Sequence, residues 1–116
     1  MAHDPRAAIL DMIQAIERAQ RLTIGLTEST FQKSEQSQWA VFSQIVILGE
    51  AASRVDKAFQ QTHPEIPWSA AMAMRHRLVH GYDSVDWDRV WKTLQNDLPP
   101  LLKELNALIP DEGGKP

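Results

Sequence analysis

The sequence predicts an all-α, antiparallel bundle of four main helices, and three observations carry that prediction. Apolar residues recur at three- and four-residue steps through three long stretches, the period of an amphipathic helix. No stretch alternates apolar and polar residues as a half-buried strand would. The breaks between stretches fall at Gly25, at Pro64 and Pro67, and at Gly81. A chain of 116 residues, 43% of them apolar, is long enough to bury one core. One domain is expected over residues 1–110, with 111–116 as a flexible C-terminal tail.

The first helix opens with Asp4 as N-cap and Pro5 at the first helical position, where its missing N–H costs nothing. Ile9, Met12, Ile13, Ile16 and Ala19 then line one face, and the helix is expected to reach Thr23 or Leu26. Residues 27–34 are polar and read as a connection with at most one short turn. A second helix, capped by Ser34 or Ser37, is expected from Glu35 to Gln61. Its middle, Ile45 to Ala52, is apolar nearly all round, the profile of a helix at the centre of a bundle. Gly49, Ala51 and Ala52 would let a neighbour approach closely. Glu50 beside them either faces solvent or needs an arginine partner.

Two prolines, Pro64 and Pro67, break this helix. A third helix is expected from Ala70 to His80, capped by Ser69 and stopped by Gly81. The last begins at the cap Asp86 and carries Trp87, Val90, Trp91, Leu94, Leu98, Leu101 and Leu105 on one stripe. Pro99 and Pro100 fall inside it, so a kink or restart is expected there, with Asn96 or Asp97 available as a cap.

Composition narrows the chemistry. The chain has no cysteine, which rules out disulfides, thiolate metal sites and a cysteine nucleophile. No apolar run approaches the length of a membrane span and the N-terminus has no signal core, so a cytoplasmic protein without membrane contact is expected. Net charge is −3, without the overall basic excess of a general polyanion binder. If the chain handles nucleic acid, it does so through a local cluster.

The only dense cluster is Arg75-His76-Arg77-Leu78-Val79-His80-Gly81-Tyr82, which holds two of the four histidines and the single tyrosine. On a regular helix, His76 and His80 share a face, whereas Arg75 and His80 diverge by about 140°. Three readings compete. The first is structural, with exposed arginines and histidines favoured by the negative end of a helix dipole. The second is a metal site on His76 and His80 with help from Asp83, Asp86 or His63; two adjacent arginines would repel the cation, and no metal or other cofactor is expected. The third is phosphodiester chemistry. RNA carries its own nucleophile, the 2′-hydroxyl, so a histidine to move a proton and an arginine to hold the phosphate make a minimal ribonuclease.

These residues also carry a resemblance. Arg75, His80 and Tyr82 match the R-x4-H-x-Y motif of the HepT-like toxins of the HEPN (higher eukaryotes and prokaryotes nucleotide-binding) superfamily. The likeness extends through Ile47-Leu48-Gly49-Glu50-Ala51-Ala52, Pro64 to Trp68, and Val85 to Leu101, and covers most of residues 5–108. His76 departs from the pattern, since close relatives most often carry Asn there. The resemblance implies a HEPN-like bundle dimerising around the motif helix, so that Arg75 of one chain and His80 of the other meet one phosphate. It implies metal-independent RNA cleavage with Arg75 and His80 catalytic; the neighbouring Arg77 and His76 are expected to contact substrate. It further implies a toxin neutralised by an MntA-like nucleotidyltransferase antitoxin, which can transfer AMP to Tyr82. The competing expectation is a non-catalytic HEPN module that binds a nucleotide or a partner.

Overall fold

A computed structural model of the chain describes residues 4–80 and 84–109. Helix α1 spans Pro5–Leu22, α2 Glu28–Gln32, α3 Glu35–Ser53, α4 Lys57–Thr62 and α5 Trp68–Arg77. Two short strands follow, β1 at Val79–His80 and β2 at Ser84–Val85. Helix α6 covers Trp87–Lys92, a π-helical turn covers Thr93–Asp97, and α7 runs through Leu98–Ala107. The all-α class expected from periodicity is borne out, with α1, α3, α5 and the α6–α7 arm as its main members.

The Asp4 carboxylate accepts from the Arg6 N–H at 2.9 Å, with Pro5 at the head of α1. Six of the residues on its inner face, from Ile9 to Ala19, are at most 6% exposed. Helix α1 ends at Leu22, and Gly25 takes the following turn at a φ of 85°, a conformation costly for a side chain-bearing residue. The connection after it contains a helical turn of its own: Thr27 and Thr30 form a reciprocal capping box at the start of α2, and Phe31 is fully buried.

The second helix is shorter than expected. Capped by Ser34, it stops at Ser53, and the chain turns through Arg54–Asp56 before α4. The Gln60 amide donates to the carbonyls of Val55 and Ala52, at 3.0 and 3.4 Å, supplying the partners that a continued helix would have given. Helix α3 packs on both α1 and α5 and is the centre of the bundle. Its outer face nonetheless leaves Trp39 and Ile47 exposed, so the apolar ring around it is incomplete. Glu50 is on that exposed side.

Gly49 fits the close-approach expectation. A Cβ there would lie 3.2 Å from the Ala71 carbonyl oxygen and 3.4 Å from that of Met72, so α5 rests directly on the α3 backbone. Helix α5 starts at Trp68, before Ser69, and its N-cap is Pro67, with no side-chain capping bond. What fixes the start is Trp68 itself, whose indole N–H donates to the His63 carbonyl at 2.9 Å while Ile66 is buried.

The restart at the prolines takes the form of the π-helical turn. Pro99 and Pro100 have no N–H to donate one turn back, and the Leu98 N–H reaches Thr93, five residues earlier. Asp97 precedes α7 without a side-chain capping bond. Among the described residues, no helix is long and apolar enough to cross a membrane.

Candidate active site

Helix α5 divides into two parts. Trp68, Ala71 and Met74 are buried against the bundle, whereas Arg75, His76 and Arg77 form an exposed last turn. The helix then ends earlier than its periodicity suggests. Leu78, 1% exposed, closes it, and the chain becomes extended at Val79 and His80. The two strands pair antiparallel, Val79 with Val85 and His80 with Ser84. The Asp86 N–H extends that ladder by donating to the Leu78 carbonyl at 2.7 Å. Branched Val79 and Val85 favour this extended backbone, and the pairing claims polar groups that a longer helix would have used. Gly81, the expected stop, lies outside the described residues, as do Tyr82 and Asp83.

His80 is therefore not one helical turn below His76. The geometry that made the two histidines a candidate metal pair requires a helix that has already ended at Arg77. The same change removes the 140° divergence between Arg75 and His80, because that angle holds only on a continuous helix.

Each candidate residue has a distinct setting. The His80 side chain is 66% exposed, and its Nε2 lies 3.2 Å from Asp86 Oδ2. Arg75, His76 and Arg77 are exposed, and their side chains make no hydrogen bond or ion pair with the described residues. Arg77 lies on the wall of a groove that it shares with Glu65, Asp97 and Glu104, floored by Ala71, Met74 and Leu101. A second groove runs from Asp86 along α6 past Arg89 and Lys92 to Asn96 and Asp97. Among the described residues, no group of three or more His, Asp or Glu side chains is arranged to hold a metal ion.

Asp86 is the residue whose full role spacing does not disclose. It caps α6 as expected, with Oδ1 accepting from the Arg89 N–H at 3.1 Å. The second oxygen faces His80, and that link depends on the hairpin. The Arg89 N–H holds the Asp86 carboxyl below its ordinary value, and the hydrogen bond and charge of His80 and the charge of Arg89 act the same way, against an opposing effect of burial.

Aromatic side chains border the site. Trp87, next to Asp86 in the chain, meets Trp39 edge to face with centroids 4.9 Å apart, and Phe42 lies 6.2 Å from Trp87. Trp39 keeps 48% of its surface exposed, so this cluster is part of the surface as well as of the core.

Comparison with known proteins gives a consistent result. Residues 12–108 match the family described as ribonuclease HepT-like. A probable ribonuclease HepT of Thermococcus cleftensis is 36% identical over 98 residues, covering 84% of this chain and 89% of the relative. A protein of Methanocaldococcus jannaschii with a provisional RNase name is 27% identical over 112 residues, 97% of this chain and 93% of that one. A similarly named protein of Caldanaerobacter subterraneus is 27% identical over 108 residues, 93% of this chain and 96% of its own length. No solved structure matches the chain significantly.

Proposed function

The chain belongs to the HepT-like ribonuclease family, and from that premise we propose that it cuts RNA at the exposed end of α5, with Arg75 and His80 as the catalytic pair. The observation that carries this reading is the hairpin. It takes His80 off the helix, leaves the imidazole open to solvent, and gives one ring nitrogen a carboxylate partner. An exposed arginine, Arg75, with no acidic partner among the described residues, stands in the turn just before it.

The chemistry needs no group that this chain lacks. The imidazole of His80 takes the proton of the 2′-hydroxyl as that oxygen attacks the adjacent phosphorus. The bond from phosphorus to the 5′-oxygen breaks, that oxygen takes a proton from water, and a 2′,3′-cyclic phosphate remains. Arg75 offers a fixed, planar set of donors to the phosphate oxygens as charge builds on them. Arg77 and His76 are the secondary substrate contacts, with Arg77 on the wall of a groove that also holds Glu65, Asp97 and Glu104. Metal-independent cleavage follows from this division of labour.

The same reading assigns a regulatory partner and an assembly. Two copies meeting around α5 would bring Arg75 of one and His80 of the other to one phosphate. An MntA-like nucleotidyltransferase would act as antitoxin by transferring AMP to Tyr82, two residues beyond His80 in the chain. A nucleotide there adds bulk and negative charge where RNA phosphate must sit, which blocks the site. The working unit is the single domain of residues 1–110, with 111–116 as tail, acting in the cytoplasm.

The test is cleavage of a labelled single-stranded RNA by the purified chain in excess chelator, beside His80→Ala and Arg75→Ala. Product ending in a cyclic phosphate, lost in both variants, supports the assignment. Cleavage that survives His80→Ala removes His80 from it. RNA binding without cleavage by the unmodified chain would favour a binding module instead.

A further inference from the structure

The Asp86 carboxylate is fixed more firmly than the histidine it meets. Its Oδ1 accepts from the Arg89 N–H in the first turn of α6. Its own backbone N–H donates to the Leu78 carbonyl at the foot of the hairpin. The side chain is 28% exposed, against 66% for His80. A carboxylate held from both sides presents Oδ2 in one place, and Oδ2 lies 3.2 Å from His80 Nε2.

We propose that Asp86 is a positioning residue for His80: its Oδ2 keeps the imidazole proton on Nε2 and so turns the Nδ1 lone pair toward RNA. The inference rests on the ribonuclease reading for its substrate, but the pairing itself does not. An ionised carboxylate can only accept, so a hydrogen bond to it requires a proton on Nε2. In a neutral ring the other nitrogen is then the acceptor, which is what removing a proton from a 2′-hydroxyl needs. When Nδ1 takes that proton, the same carboxylate stabilises the imidazolium that results. The carboxyl of Asp86 stays ionised through the range in which an imidazole titrates, because the Arg89 N–H, His80 and the Arg89 charge all hold it down.

Among the described residues, the charged groups on the elements that meet here are Arg75, His76 and Arg77 on α5, and Asp88, Arg89 and Lys92 on α6. These charges are the same in all three proteins, so the effect of Asp86 is read by difference between variants. Asp86 also caps α6, and its removal could be mistaken for a folding effect. Ser at this position retains capping ability but is too short to reach His80. Asn also caps, but offers an uncharged oxygen.

The experiment is a ring-nitrogen NMR titration of His80 in the full chain, with RNA cleavage against pH measured on the same samples, for wild type, Asp86→Asn and Asp86→Ser. Wild type is expected to hold the Nε2–H tautomer. Asp86→Ser is expected to lose that bias and cut RNA about 10- to 100-fold more slowly, mainly in kcat, with helix content unchanged. Asp86→Asn should fall between them. A wild-type ring protonated on Nδ1, or a Ser variant with unchanged tautomer and cleavage rate, overturns the proposal. The Asp86-dependent tautomer in a chain that cuts no RNA retains the pairing and overturns the ribonuclease reading alone.

Discussion

The contact between α1 and α3 and the segment from Arg75 to Asp86 are built on opposite terms. The first joins two long helices through residues such as Ile9, Met12, Ile45 and Leu48, each at most 1% exposed, and contributes no candidate catalytic group. The second contains a helix end, two very short strands and a helix start within twelve residues, and most of its charged side chains are exposed. The first is held by area removed from water, which is tolerant of direction. The second is held by a few directional bonds: Asp86 to Leu78, Asp86 to Arg89 and Asp86 to His80. Substitutions in the two regions should therefore damage different properties.

The largest separation is expected at His80. Replacing it with Ala should lower RNA cleavage by roughly 10²- to 10⁴-fold, the range for loss of a general acid–base group, while the thermal midpoint stays within about 3 °C of wild type. Kinetics and calorimetry on one preparation check both halves. Leu48→Ala should do the reverse, lowering stability by about 2–5 kcal/mol while the turnover of the remaining folded protein is unchanged. Denaturant titration and active-fraction kinetics would separate these, and a fall in turnover per folded molecule would break the contrast.

Gly49→Val tests the place where the two regions touch. A Cβ already approaches the Ala71 and Met72 carbonyl oxygens at 3.2 and 3.4 Å, so a branched side chain must push α5 away. The expected cost is about 1–3 kcal/mol of stability, together with a loss of cleavage. Unchanged cleavage would mean that the end of α5 is positioned without α3.

The smallest effect is on pH-dependent stability. Asp86 has its carboxyl lowered on folding, so its contribution is fully present above the unfolded carboxyl value and is lost as pH falls through the folded one. Wild type should accordingly lose more stability than Asp86→Asn as pH drops below about 4. Parallel denaturant curves for the two from pH 6 to pH 2.5 would contradict that.

The core was legible because its cause is local and repeated. Asp4 and Pro5 announce α1, and the spacing of Ile9, Met12, Ile16 and Ala19 marks its inner face. The break after Ser53 was not legible, because the Gln60 side chain that satisfies the end of α3 reaches back from the next helix. The start of α5 was not legible either: Ser69 is a good cap by type, but the helix begins at Trp68, which is tied to His63. At the candidate site the residue types of Arg75 and His80 were readable. Their relation was not, because helical periodicity carries no information about a chain that turns extended at Val79. Asp86 was readable as a cap, and its second contact required the hairpin to exist.

The π-helical turn at Thr93–Asp97 has a mechanical consequence. On one side α6, which Asp86 caps, packs on α2 and α3; on the other, α7 packs on α1. A continuous α-helix would transmit any twist of α7 directly to Asp86. The wider turn, with two prolines just beyond it, is a compliant joint that can take up a change of one residue by reverting to α-helical winding. Deleting one residue there should alter the seating of α7 while leaving amide exchange at Leu78 and Val85 near wild type. The joint thus shields the carboxylate from the end of the chain.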